Sequence, residues 1–335
     1  MYCLTSTVAM HLLSSFRSVK IGLLVGIGGG IPSWDVDIRL ADVVVGLSTS
    51  HSRNGGVVQY DLGKATRRGK LERTGSLNRP PQALATAVSK LQAIHRMEGI
   101  KLSKYVDAIE TRYPNMRGSC TSHDRVDQLF HTRYHHVDDR DSCSNCDTSR
   151  LFHRQARKSK EPVVHYGKIA SGNQVVKNSD VRDSLGLELG ASCVEMEAAG
   201  LANNYPCLVI RGICDYADSH KNKQWQQYAA AVAAAYAKEL SLVTSHTSTG
   251  RSGTILTRIS DEVGDISRWH NPQYKTTEMD CLQSLRPTNR DTPHALQQFY
   301  IWYSMECNFR KQGIQQLVSW KADQSPPWLH GLREN

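Results

Sequence analysis

The apolar positions of this chain recur with two periods. Val8, Leu12, Leu13 and Phe16 follow a helical spacing, and the run from Ile21 to Ile27 that comes next is apolar throughout. A repeat confined to one face predicts an amphipathic helix, whereas a short apolar run bounded by glycines predicts a strand buried on both faces. The same reasoning predicts a buried strand over 42–47 (DVVVGL) and a shorter one over 57–60. Pro80 and Pro81 open a helix with Leu84, Val88, Leu91 and Ile94 on one face, proline being suited to the first helical turn.

From 112 to 160 the pattern lapses into polar, His-rich and basic sequence, which reads as an insertion or a long surface loop. Order returns with a strand over 163–171 and a helix over 180–187. A small-residue helix is predicted to start at Glu195 (EMEAAGLANN), followed by a strand over 207–214 that Asp215 ends. An Ala-rich helix over 222–243 has side chains small enough to pack closely on a sheet. Wholly apolar strands alternating with helices predict an α/β fold, a mainly parallel or mixed sheet covered on both faces. Beyond 246 the chain turns polar (SHTSTGRSGT). Trp302, Trp320 and Trp328 are scattered through a tail without a core pattern. The expected domains are therefore 1–245, with 112–160 as the insertion, and 246–335 as linker and poorly structured tail.

Composition narrows the class. With 335 residues, 39% hydrophobic and 22% charged, the chain is too apolar for disorder and long enough for a sizeable core. Its most apolar helical run, Ala229 to Ala237, is far short of the roughly 20 residues that a spanning helix needs, so no membrane partner is expected. No basic start precedes the first apolar residues, which argues against a secretory signal. Nine scattered cysteines fit a reducing, cytoplasmic compartment better than a disulfide scaffold. Residues after 245 hold 10 basic and 9 acidic side chains, so +8 of the net +9 belongs to residues 1–245. The basic runs Lys64 to Arg73 and Arg150 to Lys160 suit solvated loops better than nucleic acid, because no aromatics interleave them.

Three segments carry candidate chemistry. Gly28, Gly29 and Gly30 follow the first strand, where glycines let backbone amides approach an anion or a sugar. A dinucleotide loop is excluded, since Ile31 stands where the third glycine is needed and Pro32 follows. A phosphate loop is excluded too, for lack of a following Lys-Ser or Lys-Thr. Asp215 ends a strand, the place where ligands gather in open α/β sheets. It suits either a general acid with a raised pKa or a structural role, as helix cap or partner of Arg211. Of Glu195 and Glu197 at the predicted helix start, one suits sugar hydroxyls and the other the helix dipole.

In this order the segments VGIGGGIP, DIRLADVVV, GGVVQYDLGK, RTGSLNRPP, VHYGKIASGNQV, VEMEAAGL and RGICDYADSHKN resemble the purine and uridine phosphorylase superfamily. That superfamily includes the methylthioadenosine/adenosylhomocysteine nucleosidases. The likeness runs from about Leu12 to Leu242 and is strongest to a fungal branch at the front of NTPase-containing receptor-like proteins. It implies a three-layer α/β/α sandwich with a mixed central sheet. It also implies an enzyme cleaving the N-glycosidic bond of purine nucleosides or nucleotides, without a cofactor and with possible homo-oligomers. By the same resemblance Asp215 protonates or hydrogen-bonds the base, Met196 and Glu197 contact ribose, and Val175 and Val176 line the base pocket. Gly28 to Gly30 form a loop on the nucleophile side.

Two departures shape the expectation. Leu24 and Ile27 stand where phosphorylases carry anion-binding residues, which favours water over phosphate as nucleophile. The chain also opens inside the domain: the first strand of the family is missing, a sheet edge or a core face is left open, and turnover is expected to be weak or lost. The alternative is a non-catalytic nucleoside-sensing or protein-interaction module of a fungal receptor-like protein. The segment CLQSLRPTNRD and the spaced tryptophans resemble the connector of such receptors. Cys143 and Cys146 form a CxxC, with Cys120, His123, His135, His136 and His153 nearby in sequence. A CxxC is half of a zinc site, and two further ligands must come from the fold. Without them, no metal is expected and the thiols are simply reduced.

Overall fold

The computed structural model describes residues 7, 9–11, 14, 19–47, 55–65, 71–73, 75–112, 125–138, 142–248, 298–304 and 317–320. Thr7, Ala9 to His11 and Ser14 are helical, while Val8, Leu12, Leu13 and Phe16, which carry the predicted repeat, lie outside the described residues. Lys70 and its basic neighbours Arg67 and Arg68 also lie outside them, as do Cys120, His123 and Trp328.

An eight-stranded mixed sheet forms the centre. It comprises β1 (Val19–Gly30), β2 (Val43–Gly46), β3 (Val57–Gln59), β6 (Val164–Ser171), β7 (Ala191–Glu195), β8 (Leu208–Asp215), β9 (Gln298–Ser304) and β10 (Leu317–Trp320). Two short strands, β4 (Gly63–Ala65) and β5 (Leu71–Arg73), pair separately as a hairpin. The helices are α1 (Gln82–Glu98), α2 (Leu102–Arg112), α3 (Ser179–Leu189), α4 (Ala198–Ala202) and α5 (Gln226–Ser248).

Alternation along the strands feeds two cores. Leu23 and Val25 of β1, Val43 and Val45 of β2, and Leu208 and Ile210 of β8 face α1, α2 and α5. Leu24, Val44 and Val209 face the opposite layer with the small residues of α4. Val176, Leu185, Leu189 and Val194 close a third cluster under α3. The sheet is thus covered on both faces, as the apolar runs predict. α5 lies so close to β8 that a Cβ at Gly212 would come within 1.9 Å of the Ala229 carbonyl oxygen, which explains the small side chains of that helix.

β1 organises the sheet. It runs parallel to β8 from Leu23 to Gly29, and parallel to β9 from Val19 to Gly26. The edge that the sequence reading leaves open is therefore paired with a strand of the 246–335 segment. Past Gly26, β1 leaves β9 and joins β7, antiparallel, at Gly29 and Gly30. Gly28 to Gly30 accordingly belong to the strand and not to a loop after it, because both their neighbours are strands. A second correction concerns Glu195. It ends β7 instead of starting a helix, and α4 begins only at Ala198.

Residues 125–138 and 142–160 are irregular but tied to the sheet. Asp42, at the start of β2 and fully buried, accepts both terminal nitrogens of Arg157 (2.6 and 2.7 Å), His165 Nε2 (2.9 Å), and the backbone amides of Arg39 (2.8 Å) and Val163 (2.9 Å). Arg154 bonds Asp127 (2.7 Å), the Tyr216 hydroxyl (2.8 Å) and the Ile38 carbonyl (3.0 Å). Arg154 and Arg157 are thus neither solvated nor offered to phosphate. Their carboxylate partners lie more than 25 residues away in sequence, out of reach of a reading by local pattern.

Candidate active site

The C-terminal ends of β1, β7 and β8 meet at one small cleft. Gly28, Gly29, Val175, Val176, Met196 and Glu197 line it, with Ile27, Gln174, Glu195, Cys214, Ala217 and Lys221 among their neighbours. About 380 Å³ is open there, part of it continuous with solvent. Six of the sequence-predicted residues are therefore brought together from three separate segments, and Asp215 of a fourth lies directly behind Gly29. Val176 is buried and Val175 exposed. Gly30 does not line the cleft, and a Cβ there would meet Ile213 and Ile38 of the second core.

Asp215 stands just behind Gly29, its register partner across β1 and β8. A Cβ on Gly29 would lie 2.9 Å from Asp215 Oδ1 and 2.8 Å from the Ala217 Cβ, so the close approach requires glycine. Asp215 Oδ1 accepts the Ala217 amide (2.9 Å), and Ala217 adopts a left-handed backbone with φ of 51°, a conformation costly for a residue with a Cβ. Asp215 Oδ2 lies 3.0 Å from Lys221 Nζ. Its ion-pair partner is therefore Lys221, not Arg211. The sequence reading passed over Lys221, although it lies within the DYADSHKN segment.

Arg211 has a different role. It is 1% exposed and sits between two carboxylates, bonding Glu195 and lying 3.1 Å from Glu197 Oε2. Burial alone would lower its pKa, but Glu195 and Glu197 hold it above the ordinary value. The two glutamates divide the work. Glu195 accepts the amides of Glu197 and Ala198 at the start of α4 (3.1–3.2 Å), and Ser171 Oγ accepts that of Ala199 (2.9 Å). The leading amides of α4 are thus satisfied by the protein itself. The Glu197 carboxylate lines the cleft, oriented from behind by Arg211.

A second cluster lies on the 125–160 segment. Cys143–Asn145 is a single 3-10 turn, and one ring nitrogen of His136 and the two thiols of Cys143 and Cys146 fall within 4.8 Å of one another. His135 and His153 are exposed and stand apart from this group. Burial and the adjacent Cys146 push the Cys143 thiol up to about 12. His220, beside Lys221, stacks on Phe130 with ring centroids 4.0 Å apart. Its burial, with His136, His135 and Arg182 nearby, pushes it down to about 4.

Comparison with known proteins gives the following likenesses. Residues 108–247 match the family described as the Phosphorylase superfamily. That segment belongs to the superfamily. It is 45% identical over 238 residues to a nucleotide-binding leucine-rich repeat (NLR)-like protein of Hyaloscypha variabilis, covering 69% of this chain and 22% of that protein. It is 33% identical over 86 residues to a 5'-methylthioadenosine/S-adenosylhomocysteine nucleosidase of Mycobacterium bovis, covering 24% of this chain and 34% of the nucleosidase. The chain thus spans between about a fifth and a third of those curated relatives. Among solved structures, futalosine hydrolase of Helicobacter pylori matches with a TM-score of 0.40 and 17% identity, over 70% of this chain and 73% of that one.

Proposed function

We propose that this phosphorylase-superfamily domain cleaves the N-glycosidic bond of purine nucleosides or nucleotides by hydrolysis. The observation that carries the reading is that Glu197, paired with the buried Arg211, lines the cleft, while Asp215 stands directly behind Gly29 of its wall and is paired with Lys221, itself part of the lining. Glu197 accepts hydrogen bonds from ribose hydroxyls, with Met196 against the sugar and Val175 and Val176 against the base. As the bond from C1′ to the base nitrogen breaks, its electron pair moves to the base and positive charge grows on the ribosyl ring. Asp215 delivers a proton to the base, or a hydrogen bond, so that it departs neutral. Water then adds to C1′ and loses a proton. An oxocarbenium-like transition state is stabilised where such charges are pre-placed.

Two features support water over phosphate. Lys221 is the cation among the described residues lining the cleft, and it is engaged by Asp215. The α4 amides, which could otherwise bind an anion, are taken up by Glu195 and Ser171.

The likeness to an NLR-like protein favours a second reading, in which the cleft holds a nucleoside as a signal without turnover. Incubating the purified chain with adenosine, inosine and 5'-methylthioadenosine, with and without inorganic phosphate, separates the two. Base release independent of phosphate supports hydrolysis. Calorimetric binding without release supports sensing, and neither binding nor release overturns both.

A further inference from the structure

We propose that His136, Cys143 and Cys146, with His220 as fourth ligand, form a structural zinc site that fastens the 125–160 segment to the loop carrying Lys221. The argument starts with the donor set. Two sulfurs and an imidazole nitrogen within 4.8 Å of one another match the softness and spacing of a tetrahedral zinc centre. Its ligand atoms, at about 2.3 Å (S) and about 2.0 Å (N) from the metal, lie roughly 3.5 Å apart. For these three only a small contraction is needed, whereas the His220 ring, outside that set, must shift toward them.

The local backbone is already shaped for this. The Cys146 amide donates to the Cys143 carbonyl (3.1 Å), closing the turn that turns both thiols to one side, and Ser142 Oγ accepts the Ser144 amide (3.2 Å). His136 Nδ1 lies 2.6 Å from the Asp138 carbonyl oxygen. Donation there fixes the tautomer and leaves Nε2 with its lone pair, the arrangement found behind metal-bound histidines. Asn145 Nδ2 donates to the Asp138 carboxylate (2.9 Å), tying the cysteine turn to the histidine.

His220 supplies the independent observation. It is 7% exposed, and its Nε2 is buried without a hydrogen-bond partner, an unfavourable state for a polar atom. Its ring lies 5.5 Å from that of His136 and its carbonyl 3.9 Å from Cys143 Sγ. Phe130 and Tyr134 stack on the ring, and Asp218 lies 3.8 Å from Nδ1. A metal bond to Nε2 satisfies the orphaned nitrogen. Zinc binding would release the two thiol protons. It would also join two stretches of chain more than 70 residues apart, one of which holds the partner of Asp215.

The test uses the full-length chain without a histidine tag. Purified, reduced protein supplied with Zn(II) is expected to retain one zinc per chain after dialysis, by elemental mass spectrometry. The Cys143→Ser/Cys146→Ser variant is expected to retain none. Replacing zinc by Co(II) in the unaltered chain should produce thiolate-to-cobalt charge-transfer absorption and the intense visible bands of four-coordination, a readout that does not depend on any variant folding. His220→Ala should weaken zinc more than about tenfold in chelator competition. Failure to retain zinc, stoichiometric zinc in the double-serine variant, or cobalt spectra without thiolate bands would each overturn the site. Unchanged affinity in His220→Ala would remove His220 from it.

Discussion

Lys221 Nζ stands 3.0 Å from Asp215 Oδ2, while the other carboxylate oxygen accepts the amide of Ala217. The proposed acid is thus held at both oxygens, one by a charge and one by the backbone. Replacing Asp215 with Asn keeps the shape and removes the transferable proton. Base release should fall by about 10²- to 10⁴-fold with nucleoside binding weakened far less. Lys221→Met should produce a smaller loss and a changed pH profile. Rates of base release beside calorimetric affinities check both; equal losses of binding and turnover in Asp215→Asn would count against the role.

Glu197→Gln tests the ribose anchor. The substitution keeps the volume but weakens acceptance of hydroxyl hydrogen bonds and leaves Arg211 with one carboxylate. Affinity for ribonucleosides should drop at least tenfold, and affinity for the matching 2′,3′-dideoxynucleosides should barely change. An equal effect on both ligand sets would place Glu197 away from the sugar.

Arg211→Met removes the only cation shared by Glu195 and Glu197 among the described residues. Breaking a buried ion pair on one side costs about 3–5 kcal/mol, so the urea midpoint should fall sharply. Arg211→Met combined with Glu195→Gln should recover part of the loss, because the burden is the uncompensated charge.

Gly29→Ala places a methyl group 2.9 Å from Asp215 Oδ1 and 2.8 Å from the Ala217 Cβ. Overpacking of this kind costs about 1–3 kcal/mol. Here it also displaces the carboxylate, so turnover should fall further than stability predicts. Gly75→Ala, with open space around its Cβ but a positive φ, should lose stability alone.

Asp42 sets an acid limb. Burial acts to raise its pKa, but the hydrogen bonds and charges of His165 and Arg157 outweigh that and hold it below 3.8. A carboxyl depressed in the folded state contributes fully above the unfolded value and loses that contribution as pH falls through the folded one. Urea midpoints measured downward from pH 6 should therefore fall more steeply below pH 4 in the natural chain than in Asp42→Asn. The variant should itself be several kcal/mol less stable at pH 6, since Arg157 and His165 lose their common partner.

Much of the framework was legible because it depends on local pattern. The apolar runs of β1, β2 and β8 alternate between two cores, and Asp215 ends the last of them. Pro81 immediately precedes α1, and the small residues of α5 meet Gly212. β7 escaped notice because Ala191, Ser192 and Cys193 are small or polar and its pairing with β1 and β6 lies far along the chain. The same distance hid the partners of Arg211, Arg154 and Arg157. At the site the carboxylates were visible and their cations were not, since a carboxylate at a strand end has a local signature and its counter-charge has none. His136 joined the cysteine pair through the fold in the same way.

The path of strand pairings, β1 to β8, β2, β6, β7 and back to β1, returns to its start. Glu195 and Asp215 therefore sit on strands with a hydrogen-bonded neighbour on each side. Their amides should exchange with solvent only when the whole domain opens, on the slowest timescale the protein has. The irregular stretches 125–138 and 142–160, beside the neighbouring loop, are secured mainly by side chains and should exchange by separate, cheaper openings. The carboxylates would then keep their positions through every local fluctuation that admits a nucleoside or lets a base depart.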